Sequence, residues 1–260
     1  MPAILRLLRP HHYVKNGFVW LPLFFAHELS NPRAVLQIFF AFTVFCLAAS
    51  LIYIINDIKD LEEDRRHPRK KERPLASGQV SIRQAAAAAA LLFAAGGILT
   101  LATLNRAFLA IIGAYILLNL FYTFFLKRFA ILDIFSISAG FVLRVAGGAA
   151  AITVPLSPWI VLMTFLIAMF LALAKRRDDL VLQQDGMNTR ASLAGYNMEF
   201  ISMSMSIMAA VTIVAYLMYS LDPGSIRRHG TDKLYLGAFW VVMGLLRYLQ
   251  ITLIDRQSGS

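Results

Sequence analysis

Cysteine is almost absent. Of 260 residues only Cys46 carries a thiol, so no internal disulfide can form and a cysteine-rich metal framework is excluded. Cys46 sits inside an apolar run, where a thiol packs as a small hydrophobe. Charge is scarce as well: 15% of residues are charged and 58% hydrophobic, whereas soluble domains carry about 25% charged residues. Histidine is sparse, and His11, His12 and His67 show no spacing of a zinc set. Acidic residues number 15 against 25 basic ones, leaving a net charge of +10. That excess invites a nucleic-acid partner. It is rejected, because the cations concentrate in short loops between apolar runs, as membrane topology requires. No small-residue cleavage site follows the first apolar run, so no cleavable signal peptide is expected. A mean hydropathy of +0.64 places the chain among polytopic membrane proteins.

A membrane span needs about 20 mostly apolar residues. Eight candidates are present, at 14–30, 34–57, 82–104, 107–126, 131–152, 157–178, 199–221 and 232–253. The first is short and contains Pro22. Asn31-Pro32, Asn105, Pro155 to Pro158 and Asp222-Pro223-Gly224 supply turn chemistry between spans. Ala85 to Ala90 is low in complexity, but alanine is the best helix former and lets helices approach closely. With no linker and no soluble stretch, residues 1–260 read as one all-α transmembrane bundle. With the N-terminus cytoplasmic, 18 cations fall on the cytoplasmic side and Arg33, Arg106, Arg227, Arg228 and Lys233 on the other. The bias puts both long polar loops, after the second and sixth spans, in the cytoplasm.

The first of these loops runs from Asn56 to Gly78. Asp57, Asp60 and Asp64 fall at i, i+3 and i+7, and Asn56 lies four before Asp60. If the helix continues through them, all four share one face. Three like charges on one stripe repel, and Mg²⁺ with its hard oxygen ligands is the natural compensation. Mg²⁺ usually shares its shell with substrate phosphates. The following cations, Arg65, Arg66, Arg69, Lys70, Lys71 and Arg73, suit a polyanionic substrate. A solvated loop obeying the positive-inside rule would explain the cations but not the spaced carboxylates.

Asn56-Asp57-x-x-Asp60-x-x-x-Asp64-x-x-His67-Pro68-x-Lys70-x-x-Arg73-Pro74 resembles the first aspartate-rich motif of the UbiA superfamily of intramembrane prenyltransferases. The ending through Ala76-Ser77-Gly78 and the opening Arg9-Pro10-His11-His12-Tyr13-Val14-Lys15-Asn16 are most similar to one branch, the decaprenyl-phosphate phosphoribosyltransferases. The likeness runs from about Arg9 to Tyr248. It implies a UbiA-like bundle around a central cavity open to the cytoplasm, with a lateral opening for a lipid chain. It implies Mg²⁺ on Asn56, Asp57, Asp60 and Asp64, and substrate contacts at Lys15, Asn16, Lys70 and Arg73. The family pattern usually has nine spans, so this member ends early or the chain is a fragment.

The sixth span ends Lys175-Arg176-Arg177-Asp178-Asp179. Most superfamily members place a second aspartate motif there, and this chain departs from them. Lys175, Arg176 and Asp179 match the phosphoribosyltransferase branch instead. Two cations at a helix end can grip a phosphate without a bridging metal. A positive-inside stop with a helical Lys175–Asp179 pair is the plainer reading. Lys127 and Asp133 flank the cytoplasmic turn between the fourth and fifth spans and match superfamily patterns, as do Arg190 and Tyr196; these are substrate contacts or simple interfacial groups. Arg144 lies mid-span, where a charge costs about 2.5–3.5 kcal/mol on insertion scales. It should face a substrate cavity, or else a structural hydrogen-bond partner.

The resemblance implies an integral-membrane enzyme that transfers a 5-phosphoribosyl group from phosphoribosyl diphosphate to a polyprenyl phosphate in the inner (plasma) membrane, its site facing the cytoplasm. Asp57, Asp60, Asp64 and Lys175 would carry the chemistry. The alternative is a prenyltransferase moving a polyprenyl group from its diphosphate to an aromatic or other acceptor. A lipid-binding scaffold or transporter is a third class, but the repeated halves common in transporters are not seen. Membrane lipids are the expected surroundings, and a homo-oligomer stays open. Orientation is directly testable. A Ser77→Cys variant should react with an impermeant thiol reagent in inside-out vesicles and resist it in intact cells; the reverse labelling would overturn the topology.

Overall fold

The computed structural model of the chain describes residues 2–68, 70–184 and 191–254. Among them there are helices and connecting turns and no strand. Among the described residues seven helices are long and apolar enough to cross a membrane. The chain divides into two compact units, Met1–Phe124 with Gly140–Leu156, and Phe125–Ala139 with Ser157–Ser260.

The first unit begins with α1 (Ala3–Leu8), a 3₁₀ stretch (Pro10–Trp20) and α2 (Leu21–Phe25). Its axis is α3 (Pro32–Lys59), followed by short α4 (Leu61–Arg66). Asn31 starts α3 by accepting from the N–H groups of Arg33 and Ala34, with Pro32 at the first helical position. Next come α5 (Ile82–Thr103), opened by a capping box between Ser81 and Gln84, and α6 (Arg106–Phe124). The later part of α7 (Leu132–Ala151) completes the unit. α5 runs along α3. Phe45 of α3 meets Phe108 and Tyr115 of α6 edge-on, with centroids 5.9 and 5.1 Å apart. Leu7, Ile54, Leu61, Leu75 and Val80 form a second apolar cluster, which holds the Asp57–Gly78 loop to its own helices.

Residues 14–30, the first expected span, do not form an α-helix of spanning length. Most of the segment lies in the 3₁₀ stretch and α2. It runs antiparallel to α3: Tyr13 bonds Ser50, Asn16 bonds Cys46, and Trp20 meets Phe42. A 3₁₀ helix rises about 2 Å per residue against 1.5 Å in an α-helix, so 16 residues cover roughly 30 Å, the thickness of a hydrocarbon core. A 3₁₀ rod is also slimmer, and α7 comes very near it. A Cβ on Gly148 would lie 2.1 Å from the Val19 carbonyl oxygen.

The second unit holds the first turns of α7, then α8 (Pro158–Gln184), α9 (Met198–Leu221), α10 (Pro223–His229) and α11 (Ala238–Leu253). α9 runs along α8 and carries α11 on its other contacts. Asn197 caps α9, and Asp222 with Pro223 starts α10, which ends at Gly230 in the left-handed region (φ 65°). Arg177 donates to the carbonyls of Thr252 and Leu253, satisfying the end of α11. Large apolar side chains stay exposed along α5 (Leu91, Phe93, Ile98, Leu101) and α11 (Phe239, Trp240), surface suited to lipid.

Gly148 generates a prediction. Its neighbour is backbone and cannot rotate away, so Gly148→Ala should lower stability by about 1–3 kcal/mol through overpacking. Gly97, with nothing within 4 Å of a Cβ, is the control. Thermal melting of the detergent-purified variants checks this; equal melting of Gly148→Ala and Gly97→Ala would contradict the close approach.

Candidate active site

α3 does not continue through the acidic stripe. Asp60 caps it with φ −93° and ψ 12°, and α4 starts afresh at Leu61. The four oxygen-bearing residues therefore do not form one straight stripe. The break brings Asp57 and Asp64 to one cation. Arg73 Nη1 lies 2.6 Å from Asp64 Oδ2 and 3.2 Å from Asp57 Oδ1. Arg9 Nη2 donates to the same Asp57 Oδ1, and its guanidinium stacks 5.1 Å from the Tyr53 ring centroid. Both carboxylates are about 2% exposed. The backbone of Arg9 sits in the left-handed region (φ 53°, ψ 57°), which a non-glycine residue occupies at a cost of roughly 1–2 kcal/mol. Arg9 closes α1 there, and its side chain reaches Asp57.

The loop folds back locally to deliver Arg73. His67 Nδ1 accepts from the N–H of Lys70, residues Lys70–Glu72 form one 3₁₀ turn, and Gly78 stands at the end of the loop with φ 75°. Asn56, Asp60 and Lys70 are half-buried beside this pair, while Lys15 is exposed. Among the described residues no group of three or more His, Cys, Asp or Glu side chains converges as a complete metal cage. Mg²⁺ nevertheless suits the donors present. Two buried carboxylates already share one cationic nitrogen, oxygen is the ligand Mg²⁺ prefers, and its shell is usually completed by water and phosphate.

Asn16 and Arg144, both expected to touch substrate, bind each other. Arg144 Nε donates to Asn16 Oδ1 at 2.8 Å, Nη1 to the Gly140 carbonyl at 2.9 Å and Nη2 to the Tyr115 hydroxyl at 2.8 Å. Its guanidinium also lies over the rings of Tyr115 and Phe141. This is the structural alternative for a mid-span charge.

The second unit builds its own ionic cluster. Arg176, expected to grip a phosphate, is fully buried and lies between two acids. Nη1 pairs with Asp179 Oδ2, and Nε lies 2.9 Å from Asp133 Oδ2, off the hydrogen-bonding line. The Tyr196 hydroxyl donates to Asp133 Oδ1 at 2.7 Å and accepts from the N–H of Ile131 at 2.6 Å. Burial, and then the Asp133 carboxylate, push the Tyr196 hydroxyl well above the ordinary tyrosine range. It stays protonated and acts as a fixed donor. Asp133 and Tyr196 thus belong to a strut that ties the turn before α7 to the segment before α9. Lys175 is exposed, Lys127 half-buried, and Arg190 lies outside the described residues.

A model of the UbiA prenyltransferase family matches residues 17–260. The chain belongs to the UbiA prenyltransferase family. This UbiA family enzyme is an integral membrane protein. It is 35% identical over 234 residues to a decaprenyl-phosphate phosphoribosyltransferase of Corynebacterium glutamicum, covering 88% of this chain and 70% of that protein. It is 36% identical over 226 residues to the protein of the same name from Mycolicibacterium smegmatis, covering 85% and 70%. Among solved structures, a UbiA homolog from Archaeoglobus fulgidus bound to GPP and Mg²⁺ matches with a TM-score of 0.75 at 18% identity, over 99% of this chain and 89% of that one. At that identity the likeness shows the all-helical UbiA fold alone.

Sequence reasoning passed over Arg9 as a site residue, although Arg9-Pro10 opened the motif. Its partner Asp57 is 48 positions away, and no local spacing signals such a pair. The Arg176 cluster predicts its own test. Replacing a buried cation between two acids leaves uncompensated charge, so Arg176→Met should cost about 3–5 kcal/mol of stability. Tyr196→Phe should cost about 1–3 kcal/mol by stranding Ile131 N–H and an Asp133 oxygen. Denaturation in detergent reads both; an Arg176→Met protein as stable as wild type would sink the strut assignment.

Proposed function

We propose that this enzyme transfers the 5-phosphoribosyl group of phosphoribosyl diphosphate to a polyprenyl phosphate and releases diphosphate. The observation that carries the reading is Lys175, an exposed cation of α8 at the place where most of the superfamily has an acidic pair. The relatives named decaprenyl-phosphate phosphoribosyltransferase, similar over 85–88% of the chain, support it.

The residues divide the work by charge. Asp57 and Asp64, with Asp60 and Asn56 alongside, would hold Mg²⁺ on the diphosphate. Bound there, the metal supplies charge neutralisation on the leaving oxygens. Arg9 and Arg73, and with them Lys70, would bind the diphosphate and stabilise it as it leaves; Lys127, in the second unit, would be a further phosphate contact. Lys175 would hold the 5-phosphate or the lipid phosphate. The bond from the anomeric carbon to diphosphate breaks, and a lipid phosphate oxygen forms the new bond to that carbon. Positive charge develops at the carbon as diphosphate departs, and a carboxylate nearby stabilises it. No general base is needed, because a phosphate monoester with a second pKa of about 6 is already largely anionic at pH 7. Arg176, Asp133 and Tyr196 position α8 at this level rather than touching substrate. The loop Asp57–Arg83 would lie on the cytoplasmic side of the plasma membrane, where a soluble sugar diphosphate is accessible.

A second reading, transfer of a polyprenyl group from its diphosphate, draws support from weaker likeness. A 4-hydroxybenzoate octaprenyltransferase from Acidovorax ebreus is 32% identical over 167 residues, covering 62% of this chain and 56% of that protein. Purified protein given labelled phosphoribosyl diphosphate with polyprenyl phosphate, beside labelled polyprenyl diphosphate with aromatic acids, separates the two. Product should form only in the first arm and should vanish in EDTA or with Asp57→Asn. Loss of one charge-assisted phosphate contact is worth about 1.5–3 kcal/mol, so Lys175→Ala should cut turnover roughly 10- to 150-fold. Turnover only with polyprenyl diphosphate would reverse the choice.

A further inference from the structure

We infer that Arg73, assisted by Arg9, is a displaceable counter-ion that makes binding of the divalent metal depend on diphosphate. The inference rests on the reading of Asp57 and Asp64 as metal-holding residues and goes beyond it. One nitrogen, Arg73 Nη1, contacts both carboxylates at 2.6 and 3.2 Å, and Arg9 holds the shared oxygen of Asp57. Two guanidiniums balance two carboxylates, so this cluster carries no net charge. A cation bridging the same two oxygens, Asp57 Oδ1 and Asp64 Oδ2, would take the place of Arg73 Nη1.

The energetics of that exchange differ with and without diphosphate. A bare divalent ion would sit beside two guanidiniums that have lost their partners in a largely buried setting. It would also shed water with only part of a ligand set in return, since the acids there do not converge as a complete metal cage among the described residues. Diphosphate changes both terms. Its oxygens complete the metal shell, and they offer the displaced guanidiniums bidentate partners. Metal and diphosphate then load together, and by linkage each raises the affinity of the other by one and the same factor. When diphosphate leaves, Arg73 closes back on the acids and expels the metal with it. An enzyme built this way does not leave a bare metal beside its lipid substrate between turnovers.

Equilibrium dialysis of the full-length protein in detergent, with radiolabelled Mn²⁺ as probe and inorganic diphosphate as second ligand, tests this. Wild type should retain Mn²⁺ weakly alone and at least ~10-fold more tightly with diphosphate, within the usual range of coupling. Arg73→Gln should bind Mn²⁺ alone about 10-fold more tightly than wild type, and diphosphate should then add little. Arg73→Lys, which keeps a cation between the acids, should resemble wild type. Arg9→Gln, which leaves Arg73 in place, should fall between and serves if Arg73→Gln does not fold. Equal Mn²⁺-only affinity in wild type and both glutamine variants, with the diphosphate effect unchanged, overturns the counter-ion role while leaving the metal reading intact. Failure of wild type to retain Mn²⁺ even with diphosphate overturns the metal reading and this inference together.

Discussion

A carboxylate withdrawn from water must take its counter-charge with it, and the first unit is arranged around that requirement. Asp57 and Asp64 are almost inaccessible. Unpaired, each would cost several kcal/mol. The end of α3, the cap at Asp60, short α4 and the turn at Lys70–Glu72 together bring Arg73 back to both acids, nine residues after Asp64. α1 supplies Arg9 from far away in sequence. Leu61, Leu75 and Val80, buried with Leu7 and Ile54, keep this polar loop from peeling away from its helices.

Arginines withdrawn wholly or partly from water meet the same constraint in two ways here. Arg73 and Arg176 face carboxylates. Arg144 faces only neutral acceptors: an amide oxygen, a carbonyl and a hydroxyl, with two aromatic rings over its plane. The difference matters for exchange. A guanidinium paired with an anion can be traded for another cation if an anionic ligand receives it. Neutral acceptors cannot bind a divalent ion strongly once the guanidinium leaves, so Arg144 holds the 3₁₀ stretch, α6 and α7 together and stays there. Its charge is spread over the π system and three acceptors, which makes its burial tolerable.

Much of the architecture was legible in the sequence. Apolar runs of spanning length located α3, α5 to α9 and α11, and Asn31-Pro32 and Asp222-Pro223 marked the breaks between spans by their turn chemistry. The 3₁₀ stretch was not legible, since hydropathy reports that a segment is apolar and not how tightly its backbone winds. Pro10, Gly17 and Pro22 were its available signals. Asp57, Asp64 and Arg73 were readable as one motif, whereas the break at Asp60 was not. A one-residue cap displaces a carboxylate without altering the pattern of types. The pairing of Asn16 with Arg144 lies 128 positions apart, beyond any argument from local spacing.

The Lys175-Arg176-Arg177 run shows why residue type alone misassigned a role. Three consecutive cations on a helix point about 100° apart, so they cannot share one environment. Ala172, Leu173 and Leu180 are buried, and Arg176 and Arg177 lie on that packed side. There each arginine binds what the packing presents, acids for Arg176 and the last carbonyls of α11 for Arg177. Ile167 and Leu171 are exposed at 37% and 42%, and Lys175 follows them at the next i+4 position. Of the three cations it alone continues the face of α8 that the second unit leaves uncovered. Arginine anchors and lysine reaches, which agrees with their chemistry: a planar fork suits fixed partners, and a compact charge on a flexible stem suits a ligand that comes and goes. Exposure thus separates Lys175 from the two arginines that follow it on α8.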